Sequence, residues 1–83
     1  MKLIFENSFK EERVIADVNN VTEIFNEINK FLDERNFKSY YSRVWFNDGR
    51  MVIDVGSHTE FFLVDGYSEE EWIAYQEKMA MSE

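Results

Sequence analysis

The sequence predicts an α+β domain: an antiparallel sheet of about five strands with two helices, in the order β-β-α-β-β-β-α. Three observations lead to this prediction. Short apolar runs with strand-like spacing occur within residues 2–18 and 40–64. Two other segments show helical spacing, and the three glycines fall between apolar runs. Because 83 residues are the length of one domain, residues 1–83 are predicted to form a single compact unit.

Two short strands are predicted at the N-terminus, at Lys2–Phe5 and Arg13–Val18, because both runs are rich in apolar and β-branched residues. The polar stretch Glu6–Glu12 joins them, although it contains the apolar Phe9. We therefore expect these two strands to be connected by a loop.

A first helix is predicted over residues 21–35, because six apolar residues follow the spacing of one buried helical face: Val21, Ile24, Phe25, Ile28, Phe31 and Leu32. Asn20 followed three residues later by Glu23 resembles a capping box, and Asn36 is a candidate left-handed residue at the end of the helix. Glu23 and Glu27 lie four residues apart on the opposite, solvated face.

A β-hairpin is predicted around Asp48-Gly49, since this dipeptide between apolar runs favours a type I′ turn. The turn sets the register, so that Arg43 faces Asp54 and Val44 faces Ile53. The opposition of unlike charges at Arg43 and Asp54 supports this register.

A second turn at residues 56–59 returns the chain and places Ile53 opposite Phe62. Both faces of the resulting sheet are apolar. The 21–35 helix can cover one of them, but the other also needs a cover. That second face carries Tyr41, Trp45, Val52, Phe61 and Leu63.

The C-terminal helix is the candidate cover. Ser68 followed by Glu69–Glu71 is a helix start, because the Ser68 hydroxyl can accept from the Glu71 amide while the carboxylates lie at the positive end of the helix dipole. The apolar face of this helix is weaker than that of the first. An alternative is therefore that the second face meets another chain, with self-association through Tyr41, Trp45, Phe61 and Leu63.

The charge distribution is one-sided. The chain has 17 acidic and nine basic residues, a net charge of −8, and residues 51–76 contain six carboxylates but no lysine or arginine. Such a field attracts basic surfaces and repels nucleic acid and anionic membranes.

The order α-β-β-β-α over residues 20–82 resembles that of double-stranded-RNA-binding domains, but the likeness is limited to topology. Those domains hold phosphates with basic helix starts and basic loops. Here the second helix opens with three glutamates at 69–71, so direct binding of nucleic acid is not expected.

No catalytic or metal motif is present, and we expect neither an enzyme nor a cofactor. His58 is the only histidine, and although Asp54 and Glu60 are near it in sequence, a turn residue exposed to solvent accounts for it. Asp65 and Glu69–Glu71 do not supply the alternating oxygen ligands of an EF-hand loop.

A cytoplasmic location is expected, because the chain has no cysteine for disulfides. It also has neither an apolar run long enough to span a membrane nor the pattern of a signal peptide.

The chain is small, has an acidic segment at 54–71 and carries interleaved aromatic residues such as Tyr67 and Trp72. In these features it resembles the class of small acidic phage-encoded inhibitors that imitate nucleic acid, including several anti-CRISPR proteins. The resemblance implies a basic, nucleic-acid-binding host protein as partner. The residues expected at its binding surface are Asp65, Tyr67, Glu69, Glu70, Glu71 and Glu77, together with Glu23 and Glu27. The alternative is a small structural or assembly protein, in the form of a homodimer, whose charge serves only solubility.

Overall fold

The computed structural model describes residues 1–38, 42–57 and 59–81. The predicted order of elements is confirmed. The elements are β1 (Lys2–Glu6), β2 (Glu12–Asp17), α1 (Val21–Glu34), β3 (Arg43–Asn47), β4 (Arg50–Asp54), β5 (Phe61–Asp65) and α2 (Glu69–Met81).

One five-stranded antiparallel sheet has the strand order β2-β1-β5-β4-β3. Its centre is the pairing of β1 with β5, in which Leu3 lies opposite Val64 and Phe5 opposite Phe62. This pairing joins the N-terminal hairpin to the β3–β5 meander, so that the two form one continuous sheet.

The predicted register of the β3–β4 hairpin is confirmed: Arg43 pairs with Asp54 and Val44 with Ile53. Asp48 has a φ of 52° and Gly49 a φ of 75°, the left-handed values that a type I′ turn requires at both central positions. The pairing of Ile53 with Phe62 across β4 and β5 is confirmed as well.

Helix α1 begins at Val21 as the sequence predicts and ends at Glu34, one residue before the predicted end. The Asn20 side-chain oxygen accepts from the Glu23 backbone N–H at 2.9 Å, and Asn36 has a φ of 55° beyond the last turn. The helix packs on one face of the sheet, which we call the helical face, through four buried residues: Val21, Ile24, Ile28 and Leu32.

Helix α2 lies on the helical face too, and the expectation that it covers the second face is wrong. Its half-buried Trp72 and Tyr75 pack against the same core as α1. The cause is Tyr67, which is only 6% exposed and anchors the connection after β5 in that core. Within the described ranges, neither helix is long and apolar enough to cross a membrane.

The second face of the sheet, which we call the open face, is covered by its own side chains. Ile4, Val52 and Leu63 form a small apolar cluster there and are 4–8% exposed. Trp45 and Phe61 meet edge to face across β4, with ring centroids 6.0 Å apart. No helix among the described residues packs on this cluster, so strand side chains alone keep water from it.

Candidate functional site

The helices carry most of the net charge. Together α1 and α2 contain eight carboxylates and two lysines, whereas the five strands contain five carboxylates and four basic residues. We call the two helices the helical layer. The acidic excess therefore lies mainly in the helices, whereas acids and bases are nearly balanced in the strands.

The carboxylates of the helical layer form no ion pairs with the residues that the structure describes. Two of them are used in capping. The Glu23 carboxylate accepts from Asn19 and Asn20, and the Glu71 carboxylate accepts from the Ser68 hydroxyl. The remaining six are Glu27, Asp33, Glu34, Glu69, Glu70 and Glu77.

Three of these carboxylates surround an exposed apolar residue on α2. Ile73 is 47% exposed, and it lies three or four residues from each of Glu69, Glu70 and Glu77. At 3.6 residues per turn these four side chains share one side of the helix, which we call the α2 outer surface. Tyr67, which the sequence places with them, is buried instead, and burial raises the pKa of its hydroxyl.

On the open face, by contrast, carboxylates are paired. The Arg50 guanidinium binds Asp65 through Nε at 2.6 Å and Glu12 through both terminal nitrogens at 2.9 and 3.0 Å. These contacts join β4 to β5 and β2, so the guanidinium spans β1. The hydrogen bonds from Arg50 hold the pKa of the Glu12 carboxyl below its usual value.

Asp54 is the most deeply buried carboxylate of the open face, at 3% exposure. It accepts from Arg43 Nη2 at 2.8 Å and from the Gly56 backbone N–H at 2.9 Å. At the other end of the sheet Lys2 Nζ lies 2.6 Å from Asp17, and its hydrogen bond lowers the pKa of that carboxyl.

The structure therefore divides the set of residues predicted to bind a partner. Asp65 lies on the open face and is paired with Arg50, the base that immediately precedes the stretch without lysine or arginine. Glu69, Glu70 and Glu77 lie on α2, on the other side of the sheet. Glu23 and Glu27 belong to α1, the second member of the helical layer.

The residues predicted to self-associate lie on the open face or outside the described residues. Trp45 is 39% exposed, Phe61 is half-buried and Leu63 is 5% exposed, while Tyr41 falls outside the described ranges. Of these residues Trp45 is therefore accessible to a partner, whereas Leu63 is nearly buried within the sheet's own side chains.

An aromatic cluster with two arginines closes one end of the core. Phe5, Phe31 and Phe62 have ring centroids 4.8–5.7 Å apart. The Arg35 guanidinium carbon lies 5.0 Å from the Phe5 centroid, and that of Arg13 lies 5.9 Å from the Phe31 centroid. Sequence reasoning missed this cluster, because the five residues meet only through the pairing of β1 with β2 and β5 and the packing of α1.

Chemistry-bearing residues are sparse elsewhere. Within residues 1–38, 42–57 and 59–81, no three histidine or acidic side chains are grouped to hold a metal ion. Asp54 is occupied by Arg43 and Gly56, Glu60 lies 3.6 Å from Arg35, and His58 falls outside the described residues.

This chain matches no family model, no curated protein and no solved structure. The functional inference therefore depends on its surfaces and their charges.

Proposed function

We propose that this chain is an acidic protein-binding module that inhibits a basic, nucleic-acid-binding protein by presenting carboxylates in place of phosphates. The observation that carries the proposal is the contrast between paired and unpaired acids. Four of the five strand carboxylates are held by bases of the same chain, whereas none of the eight helix carboxylates is in an ion pair among the described residues.

Unpaired carboxylates on a helix suit a surface that neutralises phosphates. Such a surface displays lysine and arginine, and the same electrostatic attraction acts on an array of carboxylates. Residues four apart on a helix are separated by about 6 Å along the axis, and Glu23 with Glu27 has this spacing on α1. On α2, Glu70 and Glu77 lie on either side of Ile73 and form a second group of carboxylates.

Ile73 supplies the apolar contact that a charged surface by itself lacks. Exposed charges mainly govern association rate and specificity, whereas a few apolar or aromatic anchors contribute most of the affinity. The α2 outer surface combines the two, with one exposed isoleucine ringed by Glu69, Glu70 and Glu77. A basic partner surface with an apolar pocket at its centre would complement it.

Competition with nucleic acid tests the proposed function. The tagged chain would first capture its partner from a bacterial lysate at low and at high salt, and the purified partner would then be titrated with duplex DNA. We expect the chain and the DNA to exclude each other, with binding that weakens as salt rises. A partner that binds both at once, with affinity insensitive to salt, would contradict mimicry.

A cytoplasmic setting belongs to the same proposal. The chain has no cysteine, as is common for proteins in a reducing compartment. Host proteins that bind nucleic acid are found in that compartment of a bacterium, so chain and partner would meet there.

Self-association through the open face is the second candidate, favoured by Trp45 and Val14, which are 39% and 55% exposed on a face without a helix among the described residues. Light scattering at high protein concentration tests it. A dimer that Trp45→Glu converts into a folded monomer would support assembly. A wild-type monomer would show that strand side chains are sufficient cover.

A further inference from the structure

The end of the core that holds Phe5, Phe31 and Phe62 presents two guanidinium groups over one aromatic cluster. Arg35 lies 5.0 Å from the Phe5 centroid and 5.4 Å from the Phe31 centroid, and Arg13 lies 5.9 Å from the Phe31 centroid. Both arginines line one solvent-open groove, which we call the arginine groove. Two cations over a shared ring repel each other unless an anion lies near both.

Carboxylates surround this groove, yet Arg13 has none within ion-pair distance among the described residues. Glu12 is held by Arg50, and Glu11 accepts from the Asn7 side chain. Glu60 approaches Arg35 only to 3.6 Å, which is longer than a direct hydrogen bond. The donors of Arg13 are therefore available to a ligand, and those of Arg35 are only loosely engaged.

An apolar cleft adjoins the arginine groove. The cleft has a volume of about 90 Å³, and its apolar walls include Leu32, Phe37 and Val55. Arg35, Phe5 and Glu60 line the cleft and the groove alike, so the two spaces meet at these residues. One ligand could place an apolar group in the cleft and a charged group in the groove.

We propose that the arginine groove and its cleft bind an organic carboxylate with a short branched apolar group. The carboxylate would accept from the Arg13 and Arg35 guanidiniums, whose fork geometry suits it, and the apolar group would fill the cleft. Four carboxylates also line the groove, those of Glu11, Glu12, Glu34 and Glu60. Arg50 neutralises Glu12, and the negative charge of the other three disfavours a phosphate, which carries up to two charges. The site therefore selects a monoanion.

Heteronuclear NMR titration with isovalerate tests the site, because this ion joins a carboxylate to an isobutyl group. We expect saturable amide shifts confined to residues of the groove and cleft. The neutral isovaleramide and inorganic phosphate should each cause far smaller shifts. Shifts of equal size with isovalerate and phosphate would overturn the proposed specificity.

A matched pair of variants assigns the binding to Arg13. Arg13→Gln should weaken isovalerate binding about tenfold, the loss expected for a charge-assisted hydrogen bond. Lys30→Gln removes the same charge from α1 outside the groove and should leave the affinity unchanged. Equal weakening in both would show that only net charge matters, which would overturn the site.

A second variant keeps the test valid should Arg13→Gln fail to fold. Arg13→Lys retains the charge but loses the fork, so it should fold and still bind isovalerate several-fold more weakly. An unchanged affinity would overturn the role of Arg13.

The source of the carboxylate is decided with short peptides that end in leucine. A peptide with a free C-terminus that binds more tightly than isovalerate, while its C-terminal amide does not bind, would identify the ligand as a chain terminus. Binding of isovalerate alone would identify a free acid. Because none of these probes is a basic protein, the result is independent of the proposed acidic interaction surface.

Discussion

The open face and the helical layer use their carboxylates in opposite ways. On the open face Glu12, Asp17, Asp54 and Asp65 each have a base from another strand within 3.0 Å. The helical layer contains eight carboxylates and only two lysines. No described residue forms an ion pair with any of the eight carboxylates. Charges on the first surface hold strands together, whereas charges on the second are directed to solvent.

This difference indicates which acids can be altered without harm to the fold. A paired carboxylate contributes to stability through its partner, and its loss leaves a donor unsatisfied. An exposed carboxylate without a partner contributes little to stability, and its field acts on other molecules. Stability and binding should therefore respond to different sets of substitutions.

The largest effect is expected at Asp54, the buried carboxylate. Asp54→Ala leaves the Gly56 N–H and Arg43 without this acceptor, and we expect it to lower the free energy of unfolding by about 2–3 kcal/mol. Urea denaturation at neutral pH measures this loss. Asp54→Asn retains an oxygen acceptor and should cost clearly less, and an equal loss in both would mean that the hydrogen bond to Gly56 contributes nothing.

Arg50 is expected to have the next largest effect, because it binds two carboxylates. Arg50→Gln leaves Glu12 and Asp65 without their shared cation, and we expect a loss of about 1–2 kcal/mol, since these side chains are partly exposed. The melting temperature should fall accordingly. A stability equal to that of the wild type would show that this network does not tie the strands together.

The pH dependence of stability distinguishes the two regions as well. The pKa of Glu12 is lower in the folded protein than its ordinary value of 4.5, so its contribution is complete above that value and is lost as the pH falls through the folded pKa. Wild type and Arg50→Gln should therefore differ in stability at neutral pH and converge in acid. Urea denaturation across this range measures both, and parallel curves would contradict the pairing.

Much of the fold could be predicted because its signals are local. Asp48-Gly49 specifies a turn type, the turn specifies a register, and the register places Arg43 opposite Asp54. The Ser68 hydroxyl likewise accepts from the Glu71 amide at 3.1 Å, as its position before three glutamates predicts. In each case the residues that interact are few positions apart or are related by a single turn.

What could not be predicted depends on contacts between distant segments. Arg50 reaches Glu12 across 38 positions, and this pairing follows from β1 lying between β2 and β5. The side of the sheet on which α2 packs follows from the burial of Tyr67. The weak apolar spacing of α2 does not predict that side. The sequence likewise groups Asp65 with the acids of α2, whereas the structure pairs Asp65 with Arg50 on the open face and places those acids on the other side of the sheet.

The smallest effects are expected on α2. Glu70 lies in the first turn, where the helix dipole favours a negative charge, so Glu70→Gln should cost about 0.3–0.5 kcal/mol. Glu77 lies beyond that turn, and Glu77→Gln should cost nothing measurable. Thermal denaturation of both variants checks the expectation, and a loss of more than about 1 kcal/mol in either would place these acids among the structural ones.

A comparison of two double variants tests the central claim most directly. One carries Glu69→Gln with Glu70→Gln in the helical layer, and the other carries Glu12→Gln with Asp65→Asn on the open face. Each removes two negative charges from the chain. For each we would measure the melting temperature and the association rate with the captured basic partner at two salt concentrations.

The helix variant should remain nearly as stable as the wild type, yet associate more slowly and with a weaker dependence on salt. The sheet variant should melt at a lower temperature and associate at close to the wild-type rate. If both variants slow association equally, the partner senses only net charge. That result, or slower association confined to the sheet variant, would contradict the assignment of binding to the unpaired carboxylates of the helical layer.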